Sequence, residues 1–323
     1  MNVFRYLFLS FFSILFISAC QSEPSLTKQG NAEQTSPIYI QILGTLQDGG
    51  SPHAGCKKAC CEKLFDYPDP NRLVVCLGLS DRENGHMWLF EAGPDFSRQQ
   101  KIIEERLCMP HKESVDGIFI SHAHIGHYAG LMYLGKEAMD AAAVPVYAMP
   151  RLKNYFENNG PWLQLVKRKN IDLMALQADS AINLSNKIKV MPMTVPHRDE
   201  FSETVGFKII GPTKSALFIP DIDKWEKWNK DIVEEIKKVD YAFIDGTFFD
   251  AAEINNRDIK EIPHPFVIES MQKFKDLMVK EKSKIYFIHL NHSNPLLDSS
   301  SKAYKAVNDA GFHVAKFKEM FGM

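Results

Sequence analysis

The chain has 323 residues, of which 45% are hydrophobic, and its formal net charge is −2. This apolar content is enough for a sizeable core, and residues 38–323 have a length that a single α/β domain reaches. No basic block stands out along the sequence. Composition therefore gives no support for a nucleic-acid partner held by charge.

The first 19 residues have the composition of a secretory signal. Arg5 provides a positive start, residues 7–17 are apolar, and Ile17-Ser18-Ala19-Cys20 has the small residues of a cleavage site. Residues 17–20 resemble a bacterial lipobox, which implies a lipid on Cys20. Residues 20–37 are polar and predict a flexible tether. We therefore expect an exported lipoprotein, anchored to a membrane through Cys20 and facing the periplasm or the cell surface. An ordinary signal peptide and an uncleaved anchor are the alternatives.

Apolar runs and helical patterns alternate along the rest of the chain. The runs predict strands at residues 38–43, 73–79, 87–92, 117–120, 144–148, 188–195, 205–210, 216–219, 241–244 and 285–289. The patterns predict helices at residues 96–107, 128–142, 152–158, 224–238, 266–280 and 300–310. Strands that are partly adjacent and partly separated by helices predict a layered α/β domain.

Three histidines follow the strand predicted at residues 117–120. His122 and His124 are two positions apart, so in an extended turn they point the same way. A helix opening at Gly126 would return His127 to the same space. Neutral imidazoles suit zinc and iron, and the cluster therefore predicts a transition-metal site.

Later strands also end in residues that can bind metal. His197 closes the strand at 188–195, Asp221 follows the strand at 216–219, and His289 ends the strand at 285–289. The types of these residues and their order along the chain resemble the metallo-β-lactamase superfamily. That resemblance implies a four-layer αββα sandwich over nearly all of residues 38–323. It also implies the ligand assignments, with His122, His124 and His197 on a first metal ion, His127 and His289 on a second, and Asp221 bridging the two.

One position departs from the family pattern. The family has an aspartate between the second and third histidines, and this chain has Gly126. Three readings remain: one metal ion only, a weakly held second ion, or a carboxylate from elsewhere such as Asp48 or Asp199. The favoured reading is one tight site with an optional second ion.

Four segments, residues 41–44, 48–52, 245–248 and 289–295, resemble the coenzyme PQQ synthesis protein B family within this superfamily. We carry over from it the fold and the metal site. The pathway is not carried over, because an exported lipoprotein does not suit a soluble cofactor pathway.

The loop after the first strand contains Cys56, Cys60 and Cys61. Related family members use cysteines of this loop, with a histidine near the C-terminal Asn-Pro turn, to hold a structural zinc. The fourth ligand would then be His292 or His53. A disulfide is the alternative, because an exported compartment is oxidising. We expect Cys76, in an apolar strand, to be a core residue.

The leading hypothesis is a hydrolase that acts on an ester, amide or phosphodiester of a small molecule. It would use one or two zinc ions at the active site, besides the structural zinc. Asp221 would orient the attacking water or take its proton. His264, by its resemblance to the proton donor of phosphodiesterase members, would serve the leaving group, and Asp199 would fix a ligand tautomer.

Two other functions stay open. The same ligands could hold iron in an oxygenase, as the resemblance to PQQ synthesis protein B allows, or the chain could be a non-catalytic metal-binding lipoprotein. Trp162, Trp225 and Trp228 are interpreted as core, and the oligomeric state is not fixed by the sequence.

Overall fold

The computed structural model describes residues 36–107, 112, 114–254 and 262–323. Its strands, in chain order, are β1 (Ile38–Gly44), β2 (Cys76–Asp81), β3 (His86–Phe90), β4 (Gly117–Phe119), β5 (Val144–Ala148), β6 (Ile171–Ala175), β7 (Ile182–Asn183), β8 (Lys189–Thr194), β9 (Val205–Ile210), β10 (Ser215–Ile219), β11 (Tyr241–Asp245), β12 (Ile285–Ile288), β13 (His313–Val314) and β14 (Met320–Gly322). Its α-helices are α1 (Ala59–Glu62), α2 (Phe96–Leu107), α3 (Ile125–Tyr128), α4 (Pro150–Asn158), α5 (Trp162–Lys167), α6 (Ile232–Lys237), α7 (Val267–Lys273), α8 (Val279–Lys282) and α9 (Lys302–Asp309).

The strands form two seven-stranded sheets that pack face to face. One sheet has the order β14-β1-β2-β3-β4-β5-β6 and the other β13-β12-β11-β10-β9-β8-β7. Alternate residues of β1, such as Ile38, Ile40 and Ile42, join Phe207 and Phe218 of the other sheet in one buried core. Two further apolar clusters pack helices on the outer faces. The arrangement is the predicted αββα sandwich.

Strand direction brings the functional residues to one edge of the sandwich. Strands β3 to β6 run parallel in the first sheet, and β10 to β13 run parallel in the second. Because carboxyl ends of parallel strands meet at one edge, polar residues that follow them are brought together.

All ten predicted strands are present, whereas several predicted helices are shorter than expected. Residues 128–142 were predicted as one helix, but α3 ends at Tyr128 and a 3₁₀ helix covers Ala129–Leu134. At Gly130 a Cβ atom would lie 2.2 Å from the carbonyl oxygen of Gly93. This segment therefore lies closer to the Gly93 backbone than a residue with a side chain could. The single helix predicted at 224–238 is divided in the structure. A 3₁₀ helix covers Trp225–Lys227, and α6 begins after Asp231, whose side chain caps it. The helix predicted at 266–280 is shorter in the structure, where α7 ends at Lys273.

Strands β6, β7, β13 and β14 were not predicted from the sequence. The three tryptophans interpreted as core are buried, with exposed fractions of at most 8%. The predicted signal, Cys20 and most of the tether lie outside the described residues and stay predictions. No helix in the described segments combines the length and the apolar character needed to cross a membrane.

Candidate metal centre

Six residues predicted as ligands converge at the edge formed by the strand ends. His122 and His124 follow β4, and His127 lies in α3. His197 follows β8, Asp221 follows β10, and His289 comes directly after β12. His122, His127 and His289 are fully buried, and Asp221 is 2% exposed. The local histidine cluster and the distant strand-end residues therefore share one interior site.

The first group consists of His122, His124, His197 and Asp221. One ligand atom from each of them lies within 4.8 Å of all the others. The Nε2 atoms of His122 and His197 are each 3.4 Å from a carboxylate oxygen of Asp221. Tetrahedral zinc with nitrogen ligands at about 2.0–2.1 Å places neighbouring ligand atoms roughly 3.3 Å apart. The spacing fits a metal ion of this size.

The second group consists of Asp48, His127 and His289, and it also lies within 4.8 Å. Asp221 adjoins it, since its Oδ2 is 3.5 Å from His127 Nε2 and 3.8 Å from His289 Nε2. Of the carboxylates that the sequence left open, Asp48 is therefore the one at the site. Asp199 is exposed and pairs instead with Arg151 at 3.6 Å.

Gly126 is explained by the position of Asp48. A Cβ atom built on Gly126 would lie 2.1 Å from the Asp48 Cβ and 2.8 Å from its carbonyl oxygen. No side chain fits there while Asp48 holds its place. The carboxylate of the family motif is thus absent at position 126 because the loop after β1 brings another one into the same region.

The metal-facing atoms of the histidines are left without partners. Among the described residues, Nε2 of His122, His127, His197 and His289 makes no hydrogen bond although it is buried. An unpaired buried polar atom costs about 1–3 kcal/mol, which a bound cation would remove. The donor chemistry and the geometry therefore both fit a metal ion.

Neighbouring side chains contact the opposite ring atoms. His122 Nδ1 lies 2.8 Å from Ser121 Oγ, whereas His127 Nδ1 makes no hydrogen bond among the described residues and has Glu91 Oε2 at an ion-pair distance of 3.5 Å. His197 Nδ1 lies 3.3 Å from Asp223 Oδ1. The prediction that Asp199 fixes a ligand tautomer is therefore wrong, because Asp199 pairs with Arg151 and it is Asp223 that contacts His197. Such contacts orient the imidazoles toward the ion.

Asp245 organises the other side of the centre. Thr247 Oγ1 donates to Asp245 Oδ1 at 2.7 Å, so it accepts from His289 Nδ1 at 2.8 Å. This fixes the His289 proton on Nδ1 and leaves Nε2 as the ligand atom. The other oxygen of Asp245 is 2.8 Å from His264 Nδ1, and Asp221 Oδ1 is 3.1 Å from the same atom. His264 thus lies beside the centre, as predicted.

Burial and neighbouring charges set the protonation of the site. Burial lowers the pKa of His122 well below its usual value and that of His289 to about 4, so both are neutral at pH 7. Burial also acts to lower the pKa of His127, but Glu91 and Asp221 outweigh it and raise the pKa. Burial acts to raise the pKa of Asp221, but the surrounding imidazoles hold it well below the usual range. Metal binding would release the proton of His127.

Burial likewise acts to lower the pKa of His264, yet Asp245 and Asp221 raise it to about 10. His264 therefore carries a proton at neutral pH. A metal ion on Asp221 would withdraw part of that negative charge and bring the His264 pKa closer to its ordinary value.

A separate group lies in the cysteine loop. Cys56, Cys60, Cys61 and His292 offer ligand atoms within 4.8 Å of one another. The Sγ atom of Cys60 is 4.0 Å from that of Cys56 and 3.9 Å from that of Cys61. Zinc–sulfur bonds of about 2.3 Å place tetrahedral sulfurs roughly 3.8 Å apart, whereas a disulfide requires about 2.05 Å. The cysteines are thiols in this structure, and their spacing suits zinc.

His53 stacks on His292 with ring centroids 4.4 Å apart and bonds to the carbonyl of Ala54 through Nδ1. Of the two histidines that the sequence offered as fourth ligand, His292 is the one grouped with the cysteines. Cys76 is fully buried in the core, as predicted.

Four residues of this site were not singled out as site residues in the sequence: Glu91, Asp223, Asp245 and Thr247. Glu91 and His289 have φ angles of 78° and 65°, a region that residues other than glycine rarely adopt. Such strain is concentrated at functional sites. The sequence signal at Glu91 and Asp245 is a polar residue near the end of an apolar strand, and Asp245 also lies in a segment that carries the family resemblance.

Comparison with known proteins agrees with this architecture. A sequence profile described as beta-lactamase superfamily domain matches residues 86–290. Coenzyme PQQ synthesis protein B from Xanthomonas campestris pv. campestris (strain B100) is 22% identical over 304 residues, which cover 86% of this chain and 97% of that protein. The protein of the same name from Acinetobacter baumannii (strain ACICU) is 20% identical, with the same coverage.

Solved structures share the fold. Zn(2+)-bound PqqB from Methylobacterium extorquens superposes with a TM-score of 0.74 at 18% identity, covering 88% of this chain and all of that chain. A diphosphatase from the PhnP family has a TM-score of 0.58 at 20% identity, over 88% of this chain and 96% of the other. Human tRNase Z, short form, has a TM-score of 0.53 at 14% identity, over 88% and 98% of the two chains.

Proposed function

Because this chain belongs to the beta-lactamase superfamily, we propose that it is a metal-dependent hydrolase of an ester or phosphodiester bond. One observation carries the proposal. Buried imidazoles surround Asp221 with their Nε2 atoms unpaired, and neighbouring side chains hold their Nδ1 atoms. The fold is shared with a protein named as a diphosphatase and one named as a tRNase, which supports the hydrolytic class.

We assign His122, His124, His197 and Asp221 to a first ion, and Asp48, His127, His289 and Asp221 to a second. The second group has a carboxylate in Asp48, so the proposal is for two ions rather than the single tight one favoured from sequence. Zinc suits this nitrogen-rich set.

A divalent ion at this centre would polarise the bond under attack and lower the pKa of a water from about 15.7 to about 7. In the proposed reaction, Asp221 accepts a hydrogen bond from the attacking water and orients it. His264 Nδ1 is engaged by Asp245 and Asp221, so Nε2 is the atom that donates a proton to the leaving-group oxygen. Asp245 keeps His264 protonated and in place.

The proposal is tested by metal analysis and activity on the same preparation. We expect about two zinc ions per chain at this centre and hydrolysis of a p-nitrophenyl ester or of bis(p-nitrophenyl) phosphate. His122→Ala should lose both metal and activity. A folded wild-type protein that retains no transition metal would refute the assignment.

A second candidate is an oxidative reaction, favoured by the similarity to proteins named coenzyme PQQ synthesis protein B over 86% of this chain. The same imidazole and carboxylate ligands suit iron. Iron instead of zinc in the purified protein, together with consumption of dioxygen, would support the oxidative reaction. If neither the wild type nor His122→Ala converted any of the substrates, a non-catalytic metal-binding protein would instead be favoured. Export and lipid attachment at Cys20 remain part of the proposal.

We also propose that Cys56, Cys60, Cys61 and His292 hold a structural zinc. Cys60→Ser is expected to remove one zinc per chain, because serine is a poor zinc ligand. The melting temperature should fall by about 5–10 °C, since a metal site of this kind contributes several kcal/mol and each kcal/mol is about 2–4 °C in a domain of this size.

Cys76→Ala is the matched control for that experiment, because Cys76 is buried in the core away from the loop. It should lower stability while leaving the zinc count unchanged. A Cys60→Ser protein with its full zinc content would contradict the assignment.

A further inference from the structure

A pocket of about 520 Å³ lies between the metal centre and the cysteine site. His264 and Thr247 line it from the metal centre, and His292 lines it from the cysteine site. Two cationic side chains, Lys58 and Arg198, face the same space. We propose that these two residues bind an anionic group of the substrate, and this inference rests on the proposed hydrolytic function.

The cysteine site holds the backbone of Lys58. Its backbone nitrogen donates to Cys56 Sγ at 3.4 Å, and its carbonyl oxygen accepts from the backbone nitrogen of Cys61 at 3.0 Å. It is the N-cap residue of α1, and its side chain is exposed. Among the described residues no carboxylate lies within ion-pair distance of its ammonium group, and the electrostatic neighbours of this charge are Cys56 and His292 of the cysteine site.

Arg198 comes directly after the ligand His197 and is exposed. Within the described part of the chain its guanidinium has no carboxylate partner. Two other cations do have carboxylate partners: Arg151 pairs with Asp199, and Lys227 pairs with Asp223 at 2.8 Å. A guanidinium beside the metal centre can bind a phosphate or carboxylate through two parallel hydrogen bonds.

The acidic residue in this pocket does not cancel the two cations. Both carboxylate oxygens of Glu253 are occupied, one by the backbone nitrogen of Phe249 and the other by Ser293 Oγ at 3.0 Å. Burial raises the pKa of Glu253 to about 7, so its charge is only partly developed at neutral pH. The described walls therefore carry a net positive charge next to the reacting centre.

Lys58→Met and Arg198→Met test the inference without touching the metal ligands. For the anionic substrate bis(p-nitrophenyl) phosphate, we expect KM to rise about tenfold in Lys58→Met, as loss of one charge-assisted hydrogen bond implies, and by at least as much in Arg198→Met, with kcat within twofold of wild type in both. The neutral ester p-nitrophenyl acetate should show no change. Arg198→Lys, which keeps the charge, should recover part of the loss.

Lys63→Met is the matched control, since Lys63 is the exposed C-cap residue of the same short helix and is not among the pocket-lining residues. Equal effects of Lys63→Met, or equal effects on the neutral ester, would overturn the inference. Unchanged KM for the anionic substrate would also overturn it while leaving the hydrolase assignment intact.

A binding measurement separates the two proposals. Phenylphosphonate should raise the melting temperature of the metal-loaded wild type, and the shift should be smaller in Lys58→Met. This result would support the anion site even if no hydrolysis were found. A shift of equal size in wild type and variant would contradict it. Benzoate in place of phenylphosphonate then distinguishes a carboxylate-bearing from a phosphorylated substrate.

Discussion

Asp221→Asn is expected to lower hydrolytic activity by more than about 10³-fold, equivalent to about 4 kcal/mol of transition-state stabilisation. The carboxylate of Asp221 lies 3.4 Å from His122 and His197 and 3.5 Å from His127, so it is shared by both groups of ligands. Asparagine keeps the shape but provides one neutral oxygen. Metal content should therefore fall together with activity, as measured by elemental analysis and by kcat/KM.

Asp199→Asn is the control for this variant. Asp199 is exposed and contacts Arg151 rather than the centre, so its loss should leave kcat/KM within about twofold. Asp223→Asn should have an intermediate effect of about 10–100-fold, because Asp223 only orients His197. An Asp221→Asn protein with both ions and near wild-type activity would contradict the proposed centre.

Gly126→Asp is expected to damage the site rather than restore it, although it recreates the family motif. The new Cβ would meet Asp48 at 2.1 Å, and the backbone oxygen of Asp48 at 2.8 Å cannot rotate away. Overpacking of this kind costs about 1–3 kcal/mol. We expect a lower melting temperature and loss of one metal ion, measured by thermal unfolding and elemental analysis.

The double variant Asp48→Gly, Gly126→Asp should bind more of the second ion than Gly126→Asp alone, since the carboxylate then comes from the family position and the contact with the Asp48 Cβ at 2.1 Å is gone, while the backbone contacts at 2.8 and 2.9 Å remain. Asp48→Asn alone should lose that ion without the steric penalty. The exchange would be disproved by a Gly126→Asp protein that is as stable as wild type and binds more metal.

The sequence contained most of this centre because its ligands follow apolar strands. His122, His124 and His127 are adjacent in the chain, so their clustering depends on local geometry alone. His197, Asp221 and His289 were candidates because each ends a strand, and the resemblance to the metallo-β-lactamase superfamily implied that they share one centre.

The residues that support the ligands could not be found in this way. Glu91 lies 36 positions before His127, and Asp223 lies 26 positions after His197, so their contacts depend on how distant loops meet. The choice between Asp48 and Asp199 likewise required the packing of the β1 loop against Gly126. The long helix predicted at 128–142 is broken because Gly130 must pass close to Gly93, a contact that no local pattern records.

His289 and His292 are three positions apart, and they belong to different groups of ligands. Between them, the backbone nitrogen of Asn291 donates to the carbonyl oxygen of Thr247 at 2.9 Å, and Leu290 bonds to Thr45 of the β1 loop. If both groups hold metal, this four-residue segment is tethered at each end by a coordination bond. Maturation would then be cooperative, with the first cation to arrive preparing the polypeptide for the next. Loss of the ion from either group would then disturb the ligand geometry of the other.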